Sequence, residues 1–344
     1  MVTGIRPLDA VVAEWAWGDY TPLSLLRAGC WWLLFLVAIA CPGWRIRGRR
    51  WAERHPGWSL SLSFLWALGL GFLLFWPLAS IEWGLTDDFE WSSLAEPDGS
   101  FPTSKMLERA RTHWELGGAL NTRGNLARFR PVYYVSKLLE LRFWGDHPHG
   151  FGFDRILCLV IFLWGFQRTV QTFTDPLFGA LVTTSLLVFP CGYDIWPRLG
   201  PSEAQAAVGF ALFGMGFSQL WRHPRLATQP ATWKTTLPWL VMAVGGIGAF
   251  GSKENFVILI VPAGLLAMRE LWKKRPLGWA GYGSLVTMFL FWGIMAAILK
   301  FKLSLKQYQT IYGSSVRAEK LSVMVLHGCR NFFVSGWGVT LLAF

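Results

Sequence analysis

The feature that most constrains this chain is a succession of apolar stretches rich in Leu, Phe, Trp, Val, Ala and Gly. They fall near 22–41, 59–80, 155–173, 176–193, 204–220, 237–251, 255–268, 278–299 and 321–344. A helix of about 20 such residues crosses a 30 Å hydrocarbon layer. Only 15% of the 344 residues are charged and 53% are hydrophobic, whereas ordinary soluble domains carry about 25% charged residues. The pattern predicts an all-α, polytopic membrane helix bundle of about nine membrane segments, one membrane domain over 1–344 with no separate soluble domain. Two segments, 237–251 and 255–268, are short. The polar Ser252-Lys253-Glu254-Asn255 between them reads as the turn of a tight helical hairpin or a partly re-entrant pair.

Lys and Arg in the short connections set the orientation. Taking 42–58 as cytoplasmic and alternating sides thereafter puts Arg45, Arg47, Arg49, Arg50 and Arg54 inside, followed by Arg168, then Arg222, Arg225 and Lys234, then Arg269, Lys273, Lys274 and Arg275. The N-terminus, the long loop 81–154 and the connections 194–203, 252–255 and 300–320 then lie outside. The last of these, with Lys300, Lys302, Lys306, Arg317 and Lys320, runs against the rule. The net charge of +11 is accounted for largely by anionic lipid at the inner surface. The expected location is the plasma (inner) membrane, with membrane lipids as partners and no nucleic acid. An apolar run at 28–41 with no basic stretch before it and an Arg-rich one after it reads as a retained helix rather than a cleaved signal. Cys30, Cys41, Cys158, Cys191 and Cys329 show no metal spacing and read as small core residues. Many of the 22 Trp sit at predicted helix ends, as in aromatic belts.

Residues 81–154 are too patterned for a plain connector. Lys105–Leu116 has good helix formers and is stopped by Gly117-Gly118. Arg128-Phe129-Arg130-Pro131 opens a second helix, roughly 131–144, with its proline at the first helical position. Val132, Val135, Leu138, Leu139 and Phe143 give that helix an apolar face opposite Lys137, Glu140 and Arg142, so it is expected to lie in the membrane interface.

Several polar clusters can carry chemistry, and each also has an ordinary reading. Asp87 and Asp88, in Thr86-Asp87-Asp88-Phe89, follow an apolar helix. Adjacent carboxylates there can deprotonate a hydroxyl, hold a divalent cation such as Mg or Mn, or simply cap the next helix. Arg128 and Arg130 flank a helix start that already favours an anion, and otherwise pair with lipid headgroups. Lys253 and Glu254 stand where an apolar hairpin turns, a costly place for charge unless it is used or self-paired. Arg198 and Glu203 occupy another outer turn, where Glu203 also complements a helix dipole. Asp146, His147 and His149 resemble a metal cluster only superficially, since Pro148 separates the imidazoles. Under one orientation the clusters at 87–88, 128–130, 198–203 and 253–254 all share a face.

An apolar helix, an outer loop beginning Thr86-Asp87-Asp88-Phe89, then Arg128-Phe129-Arg130-Pro131-Val132-Tyr133-Tyr134 and Gly145-Asp146-His147-Pro148 leading to a second helix resembles the type C glycosyltransferases. These polytopic enzymes take sugar from a polyprenyl-phosphate carrier. Arg-Phe-Arg-Pro is similar to the Arg-Pro segment of the mannosyltransferases that carry tetratricopeptide repeats, and Arg198–Glu203 and Ser252–Glu254 look like uncharacterised bacterial relatives. The resemblance covers roughly 60–260. It implies Asp87 or Asp88 as base or metal ligand, a polyprenyl-phosphate-linked sugar as donor, and a glycan, lipid or protein as acceptor. Two features depart from the family: the helix 22–41 precedes the one equated with the family's first, and the chain stops in an apolar stretch at Phe344, short of the usual family length. The expected activity is inverting transfer on the extracytoplasmic side. Arg128, Arg130, Lys253 and Arg198 would bind the donor phosphate, and Glu203 and Glu254 would support them. A multi-pass transporter or flippase for a lipid-linked or anionic substrate is the alternative, because such proteins also keep charges beside broken helices. A non-catalytic membrane scaffold, tolerant of alanine at all these positions, is a third reading.

Overall fold

The structure is a computed structural model that describes residues 42–80, 82–83, 91–113, 116–117, 128–188, 196, 202–224, 232–273 and 277–302. Every regular element among them is helical: α1 (Pro42–Arg54), α2 (Pro56–Phe75) with a 3-10 extension over Trp76–Ser80, α3 (Thr103–Thr112), α4 (Pro131–Trp144), α5 (Pro148–Phe173), α6 (Pro176–Val188), α7 (Glu203–Arg222), α8 (Trp233–Ser252), a 3-10 segment Glu254–Leu259, α9 (Ile260–Trp272) and α10 (Trp279–Lys302). Proline opens α2, α4 and α5 in the first turn, where its missing N–H leaves nothing unsatisfied.

Five helices among the described residues are long and apolar enough to cross a membrane: Pro56–Leu73, Pro148–Phe173, Trp233–Ser252, Glu254–Trp272 and Trp279–Leu299. The chain therefore has the length and composition of a membrane-embedded, multi-pass helical protein. The expected count of about nine spans is not reached among the described residues. Segments 22–41 and 321–344 lie outside the described residues, α6 is a shorter apolar helix, and α7 dilutes its apolar run with Glu203, Gln205, Gln219 and Arg222. The expected short hairpin at 237–251 and 255–268 is corrected. Both arms are full-length, because Thr232 and Thr235 form a capping box that starts α8 early and the second arm runs on through Trp272.

The five membrane-long helices, α2, α5, α8, α9 and α10, alternate in direction along the chain. Antiparallel α2 and α5 meet at Phe64 with Trp164 and at Gly71 with Val160. Parallel α5 and α7 meet at Gly165 and Ala211, and α8 runs parallel to α10 through Trp239 with Gly281 and Phe250 with Trp292. The tightest crossing is antiparallel α7 on α8. A β-carbon on Gly209 would lie 2.2 Å from the Ala249 nitrogen, and one on Gly245 2.2 Å from the Phe213 nitrogen. Small residues are what let two backbones approach this closely where lipid removes the hydrophobic drive between helices. Exposed tryptophans mark the ends: Trp58 and Trp76 bracket α2, about 27 Å apart at 1.5 Å per residue, which matches a hydrocarbon core. Trp233, Trp272 and Trp279 are likewise exposed at helix ends.

The long loop forms a small core of its own, with Trp91, Phe101, Tyr133, Tyr134, Leu138, Leu141 and Phe151 buried together. Gly99 and Gly145, both at positive φ, fix it to the α4–α5 corner, where the Asp146 amide donates to the Gly99 carbonyl at 3.0 Å. Trp83 adds an indole N–H donated to the Asp146 carbonyl at 2.8 Å. The first loop helix begins two residues earlier than the sequence predicts and stops at Thr112; the second matches at Pro131–Trp144. Its apolar face is split. Leu138 is buried, while Val135, Leu139 and Phe143 are exposed in a row that suits contact with lipid, and Lys137 is fully buried.

Candidate functional site

Two proline- and break-induced kinks in the backbone place the first pair of charges. Pro131 keeps Arg130 out of the helical region, at φ −133° and ψ 63°, so that its side chain stands at the head of α4. Lys253 is extended, at φ −151° and ψ 125°, in the one-residue break between α8 and the 3-10 segment. The head of α4 packs on the end of α8, where a β-carbon on Gly251 would meet Val132. Arg130 Nε then donates to both Glu254 oxygens at 3.3 Å. Lys253 Nζ donates to Oε1 of Glu203, the first residue of α7, at 2.5 Å. Ser202 and Ser252, each beside one member of that second pair, are fully buried with no hydrogen-bond partner for their hydroxyls among the described residues.

Beneath this layer lies a second network absent from the sequence reading as a site. Lys137 of α4 is ion-paired with Glu140, whose other oxygen accepts from Gln205 Nε2 at 3.1 Å; Gln205 Oε1 in turn accepts from Arg155 Nη1 at 3.0 Å. Burial, with the like charge of Arg155, pushes the Lys137 ammonium down to about 8 against the pull of Glu140. The signal was present in the sequence: Arg155 stands at the start of the apolar stretch 155–173, and an ionisable residue at membrane depth is seldom idle. What the sequence could not supply was the α4 face, which turns Lys137 inward rather than toward water.

Among the expected site residues, the structure brings together Arg130, Lys253, Glu203 and Glu254 at one end of the bundle. Arg128, two residues before Arg130, is half-buried. Asp87, Asp88 and Arg198 lie outside the described residues. Arg130 and Lys253, expected to bind a donor phosphate, each hold a carboxylate here. Among the described residues no group of three or more His, Cys, Asp and Glu is arranged to hold a metal. Asp146 and His147 stand 3.8 Å apart with His147 mostly exposed, and the Asp146 backbone serves the loop corner instead.

Of the residues assigned from sequence to the other side, Arg45, Arg49, Arg168, Arg222 and Arg269 are among the described residues that gather at the opposite end. Arg45 pairs with Asp175 at 2.8 Å, and Arg269 donates to the Leu220 and Trp221 carbonyls. Comparison with protein-family models, with curated proteins and with solved structures finds no match for this chain.

Proposed function

We propose that the protein is a membrane glycosyltransferase that moves a sugar from a polyprenyl-phosphate carrier to an acceptor hydroxyl, with inversion, at the end of the bundle where α4, α7 and α8 meet. The observation that carries the reading is the convergence of Arg130, Glu203, Lys253 and Glu254, drawn from three distant stretches of chain, into two adjoining ion pairs. An amphiphilic donor suits the surroundings, since the exposed row Val135, Leu139 and Phe143 lies on the same helix that presents Arg130. The extracytoplasmic side follows from the Arg-rich opposite end.

In the proposed reaction Asp87 or Asp88 accepts the proton of the acceptor hydroxyl. The acceptor oxygen bonds to the anomeric carbon as the carbon–oxygen bond to the lipid phosphate breaks, and the electron pair leaves on that phosphate. Arg130 and Lys253 release their carboxylates to meet the charge that develops there, with Arg128 and Arg198 as further contacts. The buried cations Lys137 and Arg155 hold the field positive behind them. A divalent cation bound by Asp87 and Asp88 would add Lewis-acid help to the same departure. Transfer from a radiolabelled lipid-phosphate sugar by the full chain in liposomes tests the proposal. Asp87→Asn together with Asp88→Asn abolishes product; unchanged product refutes the assignment.

One observation favours a second reading. Paired ionisable groups, Lys253 with Glu203 and Arg130 with Glu254, gather at the turn between two arms each long enough to span, and transporters likewise keep charges at their substrate sites. Counterflow of labelled substrate without covalent product would select it.

A further inference from the structure

The Arg-rich end carries a separate cavity of about 380 Å³, formed by α1, the start of α2, the end of α5, the start of α6 and the end of α7. Arg49, Arg168 and Arg222 enter it from three different helices, with Gln171, Gln219 and Thr172 among the polar groups between them. Its two carboxylates are already committed. Asp175, almost fully buried, accepts from Arg45 at 2.8 Å and from the Phe178 amide at 2.9 Å as the cap of α6; Glu53 pairs with Arg49 at 3.1 Å. Arg168 donates to the neutral Gln171, and Arg222 makes no salt bridge among the described residues. Arg222 lies within electrostatic reach of Arg49 and of its partner Glu53, so three guanidiniums face the cavity with one carboxylate between two of them.

We propose that this cavity binds a phosphate group at the membrane surface, through the guanidiniums of Arg49, Arg168 and Arg222. An anion placed between the three guanidiniums accepts charge-assisted hydrogen bonds, and the planar fork of each is matched to phosphate. The volume exceeds a bare phosphate and falls within the range of small-ligand pockets, enough for an attached glycerol or sugar. A lipid headgroup is the favoured source. α1, on the cavity's wall, sets Arg45, Arg47, Arg49, Arg50 and Arg54 beside exposed Trp44, Ile46 and Trp51, the composition of a helix lying among headgroups. The site lies at the end of the bundle remote from Arg130 and does not depend on the transferase reading.

The full chain in nanodiscs of mixed phosphatidylglycerol and phosphatidylcholine, released for native mass spectrometry, tests this. Wild type retains phosphatidylglycerol selectively, and Arg168→Gln or Arg222→Gln lowers that retention about tenfold or more. The same loss in an Arg130→Gln background assigns it to this end. Inorganic phosphate titrated into detergent-solubilised protein distinguishes the source: stabilisation lost in Arg222→Gln supports a free phosphate ligand. Should Arg168→Gln fail to fold, Arg222→Gln decides alone, since that side chain supports no salt bridge among the described residues. Unselective lipid retention by wild type, or wild-type retention in both variants, each together with no Arg222-dependent response to phosphate, overturns the proposal.

Discussion

Arg130 faces Glu254 across 124 positions of sequence, its Nε at 3.3 Å from both carboxylate oxygens. The pair ties the head of α4 to the break after α8, and both side chains are largely withdrawn from solvent. Removing one partner leaves the other charge poorly solvated, which costs about 3 kcal/mol for a buried pair. Arg130→Gln or Glu254→Gln should therefore each lower stability of the purified protein by about 2–3 kcal/mol, while the double variant should cost clearly less than the sum. Denaturant or thermal unfolding of the four proteins measures the coupling; strict additivity would show the pair to be incidental.

Gly145 makes the sharpest steric prediction. It sits at φ 59°, and a β-carbon there would lie 2.1 Å from the Gly99 carbonyl oxygen. Gly145→Ala should destabilise the loop by about 1–3 kcal/mol. Gly48→Ala, in the middle of α1 with open space around it, should instead be neutral or stabilising by up to about 1 kcal/mol. Limited proteolysis of the 81–154 loop, read beside the melting temperature, separates the two outcomes.

These elements divide what the sequence made legible from what it hid. Pro131 and the helix-forming run behind it fixed α4 to the residue, and the two polar ends could be sorted by alternating Lys and Arg counts because the long helices alternate in direction. Pairing across more than a hundred residues, as between Arg130 and Glu254, leaves no local trace. The inward turn of Lys137 was hidden for a related reason: α4 has apolar residues on two faces, Tyr133, Tyr134, Leu138 and Leu141 packed with Trp91, Phe101 and Phe151, and Val135, Leu139 and Phe143 exposed, so periodicity alone could not say which was the core. The full length of α8 was missed because Thr232 and Thr235, polar by composition, cap the helix rather than precede it as linker.

His113 gives the loop a pH dependence with a definite sign. Burial, aided by the like charge of Arg109, pushes its imidazole down to about 4, and its ring lies tilted against Tyr134 with the centroids 4.1 Å apart. The unfolded chain takes up a proton near pH 6.5, before the folded one does, so this residue's contribution to stability is lost as pH falls from about 6.5 to about 4. The melting temperature of the full chain in detergent should drop more between pH 7.5 and pH 5 for the wild type than for His113→Phe. An equal drop would contradict the assignment.

The account as a whole requires Asp88 to share a pocket with Lys253, since transfer demands that the base and the phosphate-binding cations be held around one substrate. A cysteine-free chain carrying Asp88→Cys and Lys253→Cys, treated in intact membranes with an impermeant bifunctional thiol reagent spanning about 10 Å, measures this directly. Efficient intramolecular cross-linking, with both positions labelled from the same aqueous side, is the predicted result. Labelling of the two positions from opposite sides, or a separation beyond about 15 Å, the reach of one sugar phosphate, would contradict it.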